Sequence, residues 1–198
     1  MIEKKHGFTI IEMLVVVSIF MVITGIILFN APQFRERVSI DLIANDLALV
    51  VRSAQTYGMA TRKSNVIPEA FPSYGFYLSV LSDVDTDPLI YIYPVEDVEN
   101  PAYFNDDNNF EEKYKLPNGF FVESICVRDD NNNCATSDQL HVAFIRPELK
   151  ATICSSDSCD SENSSKKAEI VIKSIKEDSR RIISVYQNGQ IAVENYNG

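Results

Sequence analysis

KKHGFTIIEMLVVVSIFMVITGIILF, residues 4–29, is the stretch on which the reading of the whole chain turns. From residue 8 to residue 29 it runs for 22 residues with a single charge, Glu12. In a helix rising about 1.5 Å per residue the run spans about 33 Å, enough to cross the hydrocarbon of a bilayer and too long for the apolar region of a signal peptide. Its far end, Leu28-Phe29-Asn30, offers no small-x-small cleavage site, so ordinary signal peptidase has nothing to cut. A carboxylate inside such a helix costs roughly 2.5 to 3.5 kcal/mol on insertion scales, so Glu12 must lie shallow, neutralise or find a cationic partner.

Outward from this run, charge is unequally divided. Glu3, Lys4 and Lys5 give residues 1–7 a net charge of +1, and the chain total of -10 leaves -11 for residues 8–198. That asymmetry places the short N-terminus in the cytoplasm and predicts export of the body. An acidic surface repels phosphate backbones and argues against a nucleic-acid partner. With 198 residues, 45% hydrophobic and 23% charged, the chain has material for one folded domain beside the apolar segment.

Beyond Phe29 the period becomes that of an amphipathic helix. Ile40, Ile43, Leu47, Val50, Ala54 and Tyr57 recur at spacings of three and four, while Arg35, Arg37, Asp41, Asp46, Arg52 and Gln55 occupy other faces. Pro32 cannot donate to the helix ladder and predicts a kink between the two halves. After Gly58 come short runs rich in Ile, Val, Tyr and Phe, bounded by Pro, Gly, Asn and Asp. These predict antiparallel strands at 74–81, 89–95, 120–127, 140–146, 151–154, 169–175, 181–187 and 190–194. Asn188-Gly189 predicts a hairpin between the last two. The expected fold class is α+β: a long N-terminal helix, membrane half plus amphipathic half, packed on antiparallel sheet. Within the remainder, residues 97–118 and 131–164 read as polar loops, the places where any binding specificity would sit.

The four cysteines, Cys126, Cys134, Cys154 and Cys159, all lie in the exported part, in two close pairs among Asp, Asn and Ser. Structural disulfides suit that compartment, and proximity favours Cys126 with Cys134 and Cys154 with Cys159, although four cysteines allow three connectivities. Zinc sites typically place about two to four residues between paired thiolates; seven separate the first pair here, outside that range, and four the second, at its upper limit. Clustered acids at Asp83, Asp85 and Asp87, at 106–109 and at 129–133 invite calcium. The EF-hand pattern fails, because Pro88 stands where Gly is required and Pro94 where Glu is required. Solvated turns are the simpler reading, and no metal or cofactor is expected. Catalysis finds no support in a chain whose histidines are His6 and His141 and which lacks G-x-S-x-G, Walker A, G-x-G-x-x-G and H-E-x-x-H strings.

The string Lys4-Lys5-His6-Gly7-Phe8, continuing through Glu12 into an unbroken apolar run, resembles the N-terminal signal of type IV pilins and type II secretion pseudopilins. The resemblance implies that a prepilin peptidase cuts after Gly7 and methylates the new N-terminus at Phe8. It also implies that Glu12 is the family's acidic assembly residue, pairing with the amine of a neighbouring subunit. The organisation that follows is a leader at 1–7, a transmembrane and assembly helix at 8–29 and an exported globular pilin-like domain at 30–198. Many family members carry a proline at the position of Phe29, three residues before the Pro32 found here. The text DLIANDLALVVRSAQTYGMATRKS, with YGFYL, HVAFIRPELKATIC and ISVYQNGQIAV, is similar to H-type minor pseudopilins and FimT-like minor pilins. The implied partners are the prepilin peptidase, other pilins or pseudopilins in a filament and an inner-membrane assembly platform. Two roles are compatible with this resemblance. One is a structural subunit of a type II secretion pseudopilus or type IV pilus, and the other is a filament-tip binding module, adhesin or DNA-capturing, mounted on the same helix.

Overall fold

The structure, a computed structural model, describes residues 9–67, 70–80, 89–96, 110–129, 132–147, 150–155, 165–176 and 178–196. Helix α1 covers Ile10–Met59, 50 residues, and stays helical through Pro32. The chain falls into two units, residues 1–39 and 40–198. In the first, every described side chain from Ile10 to Phe29 except Thr24 is exposed.

In the second unit the helix has a buried face, and the expected stripe is present. Ile40, Ile43, Leu47 and Ala54 are buried, while Val50 and Tyr57 are half-buried against the same core. Ala44, Ala48 and Val51 widen that face. The two alanines add no bulk, so the helix and the strands beneath it pack closely.

Ten strands follow among the described residues: β1 (Ser73–Ser79), β2 (Leu89–Val95), β3 (Glu112–Lys115), β4 (Phe120–Arg128), β5 (Cys134–Ser137), β6 (Gln139–Phe144), β7 (Ala151–Cys154), β8 (Lys167–Ser174), β9 (Arg180–Tyr186) and β10 (Ile191–Asn195). They form two five-stranded antiparallel sheets, ordered β3-β2-β1-β6-β7 and β10-β9-β8-β4-β5. Alternate residues face inward, as the pleat requires. Tyr74, Phe76 and Leu78 of β1 and Leu140, Val142 and Phe144 of β6 meet Val122, Ile125 and Val127 of β4 and Ile170 and Ile172 of β8 in one core with α1.

The sheets differ on their outer faces. β2 reads LIYIYPV without polar alternation because both of its faces are buried: Ile90 and Ile92 point to the main core, Tyr93 and Val95 to a second apolar cluster with Ala143. β8 alternates, so Lys167, Glu169 and Lys173 lie on one face and Ala168, Ile170 and Ile172 on the other.

β3 and β5 correct the sequence reading, which left 112–115 and 134–137 inside loops. EKYK and CATS carry little strand preference of their own. They become strands because β2 and β4 offer unpaired edges to them. The expected hairpin is found, with Gly189 at φ 83° and its amide donating to the Tyr186 carbonyl at 2.8 Å.

Candidate processing and assembly site

Gly7 and Phe8 lie outside the described residues; the helix they lead into is described from its first turn. The Thr9 hydroxyl accepts a hydrogen bond from the Glu12 amide at 3.3 Å, and the Glu12 carboxylate accepts one from the Thr9 amide at 3.4 Å. This is a reciprocal capping box, with Thr9 as N-cap and Glu12 at the third helical position. Two donors that a helix start leaves unmade are thereby satisfied, and the negative charge sits at the positive end of the helix dipole. Thr9 is a residue the sequence reading missed, although the T-x-x-E signal before an apolar run was there to be found.

From Ile10 to Phe29 the helix has a mean hydropathy of 2.7 and none of it is buried. Its 20 residues reach about 30 Å, the thickness of bilayer hydrocarbon. Its hydroxyls are satisfied within the helix: Ser18 donates to the Val15 carbonyl and Thr24 to that of Phe20, each at 2.8 Å. Such bonds make the two residues tolerable in lipid. A helix apolar on all sides needs lipid or other helices around it. By length and composition it is able to cross a membrane.

Polar contacts tie the amphipathic half of α1 to the body on two flanks. Toward the C-terminal hairpin, Arg181 pairs with Asp41 at 2.5 Å, Gln55 donates to the Gly189 carbonyl at 2.9 Å and Arg52 to that of Ile191 at 3.4 Å. Toward β3, the Tyr57 hydroxyl donates to Glu112 at 2.6 Å, and the Arg62 guanidinium lies 3.8 Å above the Tyr57 ring and 3.6 Å from Glu112. Just beyond, Glu111 accepts from the Ser64 hydroxyl at 2.7 Å, from the Asn65 amide and side chain at 2.6 and 2.8 Å and from the Tyr74 hydroxyl at 3.3 Å. Burial pushes the Glu111 carboxyl up, but the hydrogen bonds from Ser64 and Asn65 outweigh it and hold the group below the usual carboxylate range.

The remaining candidates scatter. Cys126 and Cys134 form a disulfide, with S–S 2.02 Å and Cα atoms 5.5 Å apart. Cys154 is also disulfide-bonded, and Cys159, expected as its partner, lies outside the described residues. Asp83, Asp85, Asp87 and residues 106–109 lie outside as well. Asp129 is described and holds a turn, its carboxylate accepting from the Asn133 amide at 2.8 Å. No cluster of three His, Cys, Asp or Glu able to hold a metal occurs among the described residues. His141 is buried in β6 with its ring centroid 4.6 Å from that of Tyr77, closed to substrate. Two basic doublets, Lys166-Lys167 and Arg180-Arg181, do not converge. Lys167 pairs in register with Tyr186 and Lys173 with Arg180, so residues 166–167 and 180–181 sit at opposite ends of the β8–β9 ladder. Lys167 is bound to Glu169 at 2.7 Å and Arg180 to Glu123 at 2.6 Å.

Comparison with known proteins bears on the N-terminus. Residues 3–28 match the family model described as the prokaryotic N-terminal methylation motif. Searches of curated proteins and of solved structures returned no match. The matched segment contains Gly7, Phe8, the Thr9–Glu12 capping box and most of the apolar span. Residues 3–28 are thus a prepilin-type N-terminal segment, similar to those that carry the methylation motif.

Proposed function

We propose that the chain is a minor pilin or pseudopilin of the H-type or FimT-like kind. Residues 8–29 hold it in the inner membrane with the body on the outer side. Prepilin peptidase cuts after Gly7 and methylates Phe8, and the helix then joins those of other pilins or pseudopilins on an inner-membrane platform. The observation that carries this reading is the exposure of Ile10–Phe29 on all sides, with its one carboxylate at the start of the helix beside the junction to be cut.

Among the described residues the Glu12 carboxylate accepts from the amide of Thr9, within a hydroxyl-capped turn. A charged amine is a stronger partner than an amide, because it meets the carboxylate with a full opposite charge in surroundings of low dielectric. Cleavage creates that amine on Phe8, so a subunit becomes able to engage a neighbour's Glu12 only after processing. The separated, ion-paired basic doublets support a structural subunit over a DNA-capturing tip.

Mass spectrometry of the membrane-extracted protein tests the reading. A methylated Phe8 N-terminus is expected. An intact Met1 start in cells with active prepilin peptidase overturns it. Binding of the full-length protein to short duplexes across a salt series tests the alternative: micromolar affinity that weakens steeply with salt returns the DNA-capturing role.

A further inference from the structure

Sheet edges present backbone groups to any extended chain that can add to them, and folded proteins blunt them in identifiable ways. β3 carries Glu112, Lys113 and Lys115, charges that oppose addition. β7 is covered, its Ala151 amide donating to the Gln187 carbonyl at 2.8 Å and its Ile153 carbonyl accepting from Ser165 at 3.1 Å. The first half of β4 is broken by an irregularity between Val122 and Ser124, where Glu123 binds Arg180 at 2.6 Å and Lys173 at 3.2 Å. Its second half, Ile125 to Arg128, is covered by β5. Yet β5 has no fully buried side chain: Cys134, Ala135 and Thr136 are exposed and Ser137 is half-buried. Besides the ladder and the Ser137 hydroxyl, which donates to the Ser155 carbonyl at 3.0 Å, the Cys126–Cys134 disulfide holds it, crossing the ladder diagonally because Cys126 lies opposite Thr136 and Cys134 opposite Arg128.

The geometry points to a local lock: this disulfide fastens β5 as a cover over the edge of β4, and contributes little to the core beneath. The role stands whether or not the chain assembles into a filament. The ladder itself supplies the test. The Asp129 amide donates to the Asn133 carbonyl at 3.2 Å, and hydrogen-bonded pairs in an antiparallel ladder recur at every second residue. Val127 with Ala135 and Ile125 with Ser137 are therefore the bonded pairs, and their amides face β5. The amides at positions 126 and 128 face β8, in keeping with the Arg128 carbonyl accepting from the Lys166 amide at 3.1 Å.

Amide exchange is measured by NMR on full-length protein in detergent micelles, wild type against the double variant Cys126→Ser, Cys134→Ser, which leaves the bond at Cys154 intact. The amides of Ile125 and Val127 should exchange about 10- to 100-fold faster, the factor by which a short loop loses closure. Those at 126 and 128 should keep their wild-type rates. Acceleration of all four together overturns the proposal, because it means the disulfide holds the core, and so does no acceleration at all. Should the double variant fail to fold, wild-type protein is treated with dithiothreitol, which passes two electrons and two protons to the Sγ atoms as it closes its own ring disulfide. Cys134 is exposed and Cys154 buried, so alkylation read by mass spectrometry separates molecules opened at Cys126–Cys134 alone. The same alternation between neighbouring amides is expected there, and uniform acceleration again refutes the lock.

Discussion

Glu12 and Thr9 share one turn but have separable work. Glu12→Gln keeps a side-chain acceptor for the Thr9 amide and removes the charge that an incoming amine would pair with. Crosslinking to neighbouring pilins should fall away in this variant while the helix start stays protected from amide exchange. Thr9→Ala removes the cap, at a cost of about 0.5 to 2 kcal/mol to the first turn, and Thr9→Ser should restore it. Faster exchange at the first helical amides in Thr9→Ala and not in Thr9→Ser checks this. Incorporation of Glu12→Gln at wild-type level would remove the pairing role assigned to the carboxylate. Gly58 is constrained by packing: a Cβ there would lie 2.6 Å from the Phe144 carbonyl oxygen and 2.9 Å from its Cβ. The backbone of β6 must shift to admit a methyl group, so Gly58→Ala should lower stability by about 1 to 3 kcal/mol, measured by denaturant titration.

Elements differ in how far their own residues specify them. The hairpin of β9 and β10 is local, since Asn188-Gly189 supplies the turn and flanking runs supply the strands. Gly189→Ala, at φ 83°, should cost about 1 to 2 kcal/mol and loosen the contact of Gln55 with the Gly189 carbonyl. A two-dimensional NMR comparison that leaves the Gln55 side-chain amide unmoved would show that the clamp on α1 does not depend on this turn. β3 is the opposite case: its four residues are ordered by β2 and by Tyr57 and Arg62, which hold Glu112, while Ser64 and Asn65 hold Glu111 just before it. That is why 112–115 looked like loop in isolation. β5 was hidden for the same reason, with a disulfide added to its edge pairing.

At the scale of the molecule, the outer face of the second sheet sets the response to pH. The guanidinium of Arg180, with Lys173, holds the Glu123 carboxyl below its ordinary range, and Lys173 does the same for Asp178. Burial would raise Glu169, but hydrogen bonds from Arg128 and Lys167 overcome it. With Glu111, four carboxyls are therefore depressed in the folded state. Their contribution is complete above the unfolded value, about 4 to 4.5, and is lost as pH falls through the depressed folded values. At the other limit Lys173, bound by Asp178, and buried Tyr93 are raised, so their contribution is present below the unfolded value of about 10 and lost as pH climbs beyond it. The melting temperature should be flat between these limits and fall on both sides. A steady rise from pH 6 down to pH 4 would contradict the assignment.

The N-terminal segment of this protein was legible directly, because an apolar run long enough to cross a bilayer and a motif of adjacent residues need no distant partner to be recognised. The helix stripe from Ile40 to Tyr57 and most strands were legible too, since period and turn residues are properties of the chain close at hand. Tertiary structure alone decided what depends on residues far apart. It divided the strands between two sheets, paired EKYK and CATS into edges, set the second face of β2 against its own cluster and placed the basic doublets at opposite ends of one ladder. Register and edge coverage follow from which strands meet, and no single stretch of sequence contains both partners of such a contact.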